Sequence, residues 1–139
     1  MFRRKIYILL GVVSLSLGVL IYILFRENSY IGIAFSRLSI IQAIRRMLEG
    51  FSCDFLEFYF PDFLWGFSLS CGFLAIYLPK RNGCIICTGI AFLCGCVWEW
   101  MQHKEIVSGT GDINDVLMYL LACITCTIIN IRSERYEKN

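Results

Sequence analysis

The chain has 139 residues, room for one domain, and 58% of them are hydrophobic against 17% charged. At a mean hydropathy of +0.65, a water-soluble domain of this size has too much surface to hide so much apolar side chain. The composition therefore points to lipid as the solvent, and the net charge of +2 excludes a basic nucleic-acid-binding face as the main theme.

The first apolar run extends from Ile6 to Phe25, preceded by Arg3, Arg4 and Lys5 and closed by Arg26 and Glu27. It has the length of about 20 residues that a helix needs to cross a bilayer. It is too long for the apolar region of a signal peptide, and no small-residue cleavage site follows it, so an uncleaved span is expected. From about residue 30 to 60 no stretch is apolar enough to cross. Ala34, Leu38, Ile41, Ile44, Leu48 and Phe51 recur there at steps of three and four, the period of one helical face. Ser39, Gln42, Arg45, Arg46 and Glu49 fall on the other face. That pattern predicts an amphipathic helix, lying in the membrane surface or packed over the open end of the bundle. Phe51, Phe55, Phe58, Tyr59 and Phe60 read as an interfacial aromatic belt.

A second span is expected from Pro61 to Pro79, with proline in the first turn, where its missing N–H is no loss. A turn at Lys80–Gly83 leads to a third span from Cys84 to Met101. A polar loop from Gln102 to Gly111, broken by Gly109 and Gly111, leads to a fourth span from Ile113 to Ile131 and a charged tail. The fold expected is all-α: a four-transmembrane-helix bundle forming a single integral membrane domain over 1–139.

Four spans place both termini and the Lys80–Arg81 turn on one side, B, and the amphipathic segment and the 102–111 loop on the other, A. Eight of the thirteen Lys and Arg fall on side B, close to span ends, and nine of the eleven acids fall on side A. Basic residues near span ends stay in the cytoplasm, so side B is expected to be cytoplasmic and the protein a multi-pass inner (plasma) membrane protein.

On side A the second span begins, the third ends and the fourth begins. Asp62, Glu99 with Gln102, and Asp112 with Asp115 thus share one membrane face. Glu99 and Gln102 are three apart on one helix face, as are Asp112 and Asp115. Tyr119 continues the latter face one turn deeper, and His103, four from Glu99, is placed to join it. Asp112 and Asp62 also suit helix capping, and Asp115 suits the dipole of the first turn. Glu99, between Trp98 and Trp100, is an ionisable group at the edge of a span or inside it, which marks a functional candidate. An interfacial anchor is the alternative.

Glu99-Trp100-Met101-Gln102, the short loop, and Asp112-Ile113-Asn114-Asp115-Val116-Leu117 together resemble the VanZ-like membrane proteins, named for a low-level teicoplanin resistance factor. The resemblance runs from about Pro61 to Cys126 and includes the span arrangement; Asp62 matches an acid that the family carries in its earlier span. Phe63 and Gly66 stand where the family tends to have lysine and histidine. Tyr119, Ala122 and Cys126 stand where it tends to have asparagine and glycines. Pro61-Asp62-Phe63-Leu64-Trp65 with Ser108-Gly109-Thr110-Gly111-Asp112 looks closer to a related group of small bacterial four-span proteins. The resemblance implies an envelope location and a candidate site, not a reaction.

Of the eight cysteines, Cys84/Cys87 and Cys123/Cys126 are spaced C-x-x-C, and Cys94/Cys96 C-x-C. Zinc sites set such pairs in polar turns, whereas seven of these cysteines lie in or beside apolar spans. There they read as small packing residues, with Cys53 exposed. No cofactor or metal is expected. Two function classes remain. One is a non-enzymatic protein that binds an envelope lipid, a glycopeptide-type drug or another membrane subunit through Glu99, Gln102, Asp112, Asp115, Asp62 and Tyr119. The other is a membrane enzyme or transporter using Glu99, Asp112 and Asp115 as acid–base groups or cation ligands; the sequence offers no nucleophile or metal to go with them.

Overall fold

The structure, a computed structural model, describes residues 2–27, 30–48, 50, 53–77 and 81–136. Glu49, Phe51, the span end at Pro79, Lys80, Glu137 and Lys138 lie outside the described residues. Among the described residues four helices are long and apolar enough to cross a membrane. They are contained in α1 (Phe2–Phe25), α4 (Phe60–Tyr77) with the turn before it, α5 (Arg81–His103) and α6 (Ile113–Tyr136), and no strand occurs among the described residues. The chain is an all-α four-helix membrane protein. α4 is the hub, packing on α1, α6 and α5, while α5 also packs on α6.

The interior is built from small side chains: Ser70, Cys71, Ala75, Cys84, Ala91, Ala122 and Cys126 are buried. Without a hydrophobic force between helices in lipid, such residues let backbones approach closely enough to pack. Leu64 and Leu74 are buried with them, but many large apolar residues point outward, among them Leu9, Leu93, Val97 and Ile124. α1 and α4 are also joined by two reciprocal hydrogen bonds: Ser14 Oγ donates to the Leu64 carbonyl at 3.0 Å, and Ser68 Oγ to that of Gly11 at 2.9 Å. The cysteines behave as packing residues. Five are buried, and Cys94 is exposed as well as Cys53; Cys94, on a span, faces lipid.

The stretch between the first two spans departs from the single helix expected. It forms α2 (Tyr30–Phe35) and α3 (Ser39–Leu48), interrupted at Ser36–Leu38, where Gln42 Nε2 donates to the Ser36 carbonyl at 2.8 Å. α3 is the amphipathic element, but its faces differ from the sequence stripe. Ile40, Ile44 and Met47 are exposed, while Arg45 is buried. The Arg45 guanidinium donates to the Ile23 carbonyl (Nη2, 2.6 Å) and the Gly32 carbonyl (Nη2, 3.2 Å) and pairs with Glu27 at 3.4 Å. A buried guanidinium needs such acceptors; here the last turn of α1, whose carbonyls lack helical partners, the backbone of α2 and Glu27 supply them.

The second span starts earlier than Pro61. A π-helical turn, Phe55–Tyr59, runs directly into α4, so Phe55, Phe58, Tyr59 and Phe60 form the first turns of the span itself. Pro61 has no N–H to give to the Glu57 carbonyl. Arg26, just past the end of α1, fills that role, its Nε donating to Glu57 O at 3.2 Å.

Candidate functional site

The N-terminal end of α4, the C-terminal end of α5 and the N-terminal end of α6 meet at side A, as expected. Their centre is Tyr119, only 7% exposed. Its ring fills a slot between two glycines: a Cβ on Gly66 of α4 would sit 3.0 Å from Tyr119 Cδ1, and one on Gly95 of α5 would sit 2.6 Å from Cδ2. With both neighbours lacking a side chain, the ring reaches through to the acids. The phenol lies 3.0 Å from Asp62 Oδ1 and 3.3 Å from Glu99 Oε1. One hydroxyl proton thus serves carboxyl groups from two helices.

Glu99 is 6% exposed and points into the bundle. Its Oε2 accepts from the Asp112 backbone N–H at 3.2 Å. With its amide set by the hydrogen-bond network, Gln102 donates to the same oxygen at 3.2 Å and accepts from Trp98 Nε1 at 3.1 Å. Three donors therefore surround this carboxyl, the arrangement that makes burial of an acid tolerable.

The loop that brings Asp112 to Glu99 is shaped by its backbone. α5 ends in a Schellman-type cap: Ile106 N–H bonds to Met101 O and Glu105 N–H to Gln102 O, both at 2.9 Å, with Glu105 at φ 56°. Gly109 takes φ 141°, and a Cβ there would overlap the Gln102 amide. A Cβ on Gly111 would sit 2.7 Å from the Glu99 carbonyl oxygen. Glycine is required at both positions for the loop to fold back over α5.

Asp112 caps α6: its Oδ1 accepts from Asn114 N–H at 3.0 Å and its Oδ2 from Asn114 Nδ2 at 3.3 Å. Its side chain is thereby engaged with its own helix, and its backbone rather than its carboxylate joins it to Glu99. Asp115 is half-buried and within electrostatic reach of Asp62, Glu99 and Asp112. No hydrogen bond to its carboxylate occurs among the described residues. His103 remains exposed at the end of α5 and does not join the group. Among the described residues no three His, Cys, Asp or Glu side chains converge as a metal cage.

Arg26 and the two glycines beside Tyr119 were not read from the sequence as participants. Arg26, at the end of α1, donates to the Tyr22 hydroxyl at 2.9 Å, lies over the Tyr22 ring at 4.7 Å, and comes within electrostatic reach of Asp62 and Asp115. Its position directly after an apolar run, on the acidic side, was the available signal. The glycines that flank Tyr119 gave none, since only the packing shows what faces them.

A second polar group lies at side B. Asn130 of α6 is fully buried, and its Oδ1 accepts from both Tyr7 Oη and Arg3 Nη2 at 2.7 Å. Asn130 Nδ2 is buried without a hydrogen-bond partner. Comparison with protein-family models, with curated proteins and with solved structures finds no match to this chain.

Proposed function

We propose that this is a bacterial plasma-membrane protein, VanZ-like in its site pattern, that binds rather than transforms its ligand. Both termini lie in the cytoplasm, and the side-A acids face outward to hold a cationic or hydrogen-bond-donating headgroup of an envelope lipid or a glycopeptide-type drug. The basic flanks on side B support that orientation. The observation that carries the binding reading is Asp115: a half-buried carboxylate beside Asp62 and Glu99 for which the described residues provide no hydrogen-bond donor. An acceptor left open at a water-accessible helix end suits a ligand that brings donors. Glu99, Asp62, Tyr119 and Gln102 form the rigid wall behind it, and Asp112 fixes the loop.

The catalytic reading, with Glu99, Asp112 and Asp115 as acid–base groups or cation ligands, draws less support. Asp112 is engaged in capping, and Glu99 already accepts from three donors. The test is expression in a teicoplanin-sensitive bacterium. Wild type is expected to raise the tolerated concentration, while Glu99→Gln and Asp115→Asn, at equal membrane levels, do not. Variants as protective as wild type would sink the reading; no protection by wild type would remove the drug and leave the lipid.

A further inference from the structure

A groove of about 590 Å³ runs along the lipid-facing side of the α1–α4 contact, away from the acid cluster. From α1 it is lined by Arg4, Ile8, Val12 and Leu15, one residue per turn; from α4 Gly72 and Ile76 line it. Gly72 makes it deep: a Cβ there would meet nothing within 4 Å. The walls are apolar, because the Ser68 hydroxyl on the groove is bonded to the Gly11 carbonyl.

The two ends of the groove differ. At the side-B end is Arg4, whose Nε donates to the Ala75 carbonyl at 3.0 Å, holding the guanidinium at the mouth. No described residue accepts from its Nη nitrogens, and no described carboxylate pairs with it. Towards side A the helices close: a Cβ on Gly18 would lie 3.6 Å from Leu64 Cβ and 3.7 Å from Trp65 Nε1. From Arg4 to Leu15 the helix rises about 17 Å at 1.5 Å per residue. Half of a ~30 Å hydrocarbon core is about 15 Å. The groove thus spans one leaflet, with a cation at the headgroup level and a closed end at the bilayer midplane.

We propose that this groove seats one anionic phospholipid of the side-B leaflet, an acyl chain lying along Gly72 and the phosphate on the Arg4 guanidinium. Charge at the mouth and length both select this occupant. Arg pairs with phosphate through two parallel N–H donors, and basic pockets between transmembrane helices hold lipid headgroups in this way. A second helix would follow the whole span and would have to bury Arg4 opposite an apolar surface. This inference is independent of the side-A reading.

The test uses the full chain purified in detergent, offered equal amounts of phosphatidylglycerol and phosphatidylcholine and weighed by native mass spectrometry. Wild type is expected to retain one phosphatidylglycerol, favoured about fivefold over phosphatidylcholine. Arg4→Gln should abolish the preference. Gly72→Phe, which grows into open space, should lose the retained lipid with helicity unchanged. The proposal is overturned if wild type carries no phosphatidylglycerol, if Arg4→Gln keeps the preference, or if Gly72→Phe keeps the lipid. It is equally overturned if wild type is a dimer that Gly72→Phe splits, since a second copy then occupies the groove.

Discussion

Each end of the bundle is organised around a buried tyrosine hydroxyl, and the two ends keep opposite hydrogen-bond balances. At side A, Tyr119 faces two carboxyl groups, Asp62 and Glu99, and a third acid, Asp115, is left without a donor from the described residues. At side B, Tyr7 and Arg3 share one acceptor, Asn130 Oδ1, and a donor, Asn130 Nδ2, is left over. One end has surplus acceptors and the other surplus donors. The two ends therefore differ in the kind of polar group that the described residues leave without a hydrogen-bond partner, a carboxylate at side A and a buried amide N–H at side B.

The comparison breaks most severely at the Tyr119 slot. Gly95→Ala places a methyl 2.6 Å from the ring, against a side chain fixed by its hydrogen bonds. Thermal unfolding in detergent should show a loss of about 3 kcal/mol, the upper range for overpacking. Gly72→Ala, with nothing in the way, should be neutral or stabilising by up to about 1 kcal/mol, the helix-propensity gain over glycine. Equal effects at the two glycines would refute the slot.

Removing each hydroxyl in turn sharpens the contrast. Tyr119→Phe takes the shared donor from two carboxyl groups and should cost about 1.5–3 kcal/mol, the range for hydrogen bonds to charged groups. Tyr7→Phe leaves Asn130 Oδ1 still bonded to Arg3 and should cost about 0.5–1.5 kcal/mol. The same unfolding assay decides it, and the reverse order would mean that side B carries the structural weight.

The cysteines should matter least. Replacing Cys84, Cys87, Cys123 and Cys126 by alanine removes small packing groups at about 1 kcal/mol or less each. The variant should still assemble in membranes without added metal. Stoichiometric zinc in wild type, lost together with assembly in the variant, would contradict the packing role.

What the sequence made legible follows from which forces are local. Span length and apolarity are properties of the chain itself, so the four crossings could be placed from composition alone, within a few residues at their described ends except at the start of the second. The meeting of Asp62, Glu99 and Asp112 at one face followed from counting crossings and from the short loop between the third and fourth spans. The burial of Arg45 did not follow, because a period of three and four continues unbroken across Ser36–Leu38 and cannot show that the chain turns there. The early start of the second span was hidden as well: Pro61 suggests a first turn, and only the Arg26 contact to Glu57 O shows how the missing N–H is compensated inside a longer helix. Tyr7 and Asn130 sit in apolar runs 123 residues apart, and nothing in either run specifies its partner.

Trp98 offers the most direct test of the central claim, that side A is a surplus-acceptor site awaiting a donor. Its indole is bonded to Gln102, which is bonded to Glu99, so engagement of the acids should reach its fluorescence. In a protein carrying Trp65→Phe and Trp100→Phe, embedded in zwitterionic nanodiscs, titration with dodecylamine should give a saturable shift. Asp115→Asn and Glu99→Gln in the same background should abolish it. A shift of the same size and midpoint in both variants would mean that the amine merely partitions into lipid and that the side-A acids are structural.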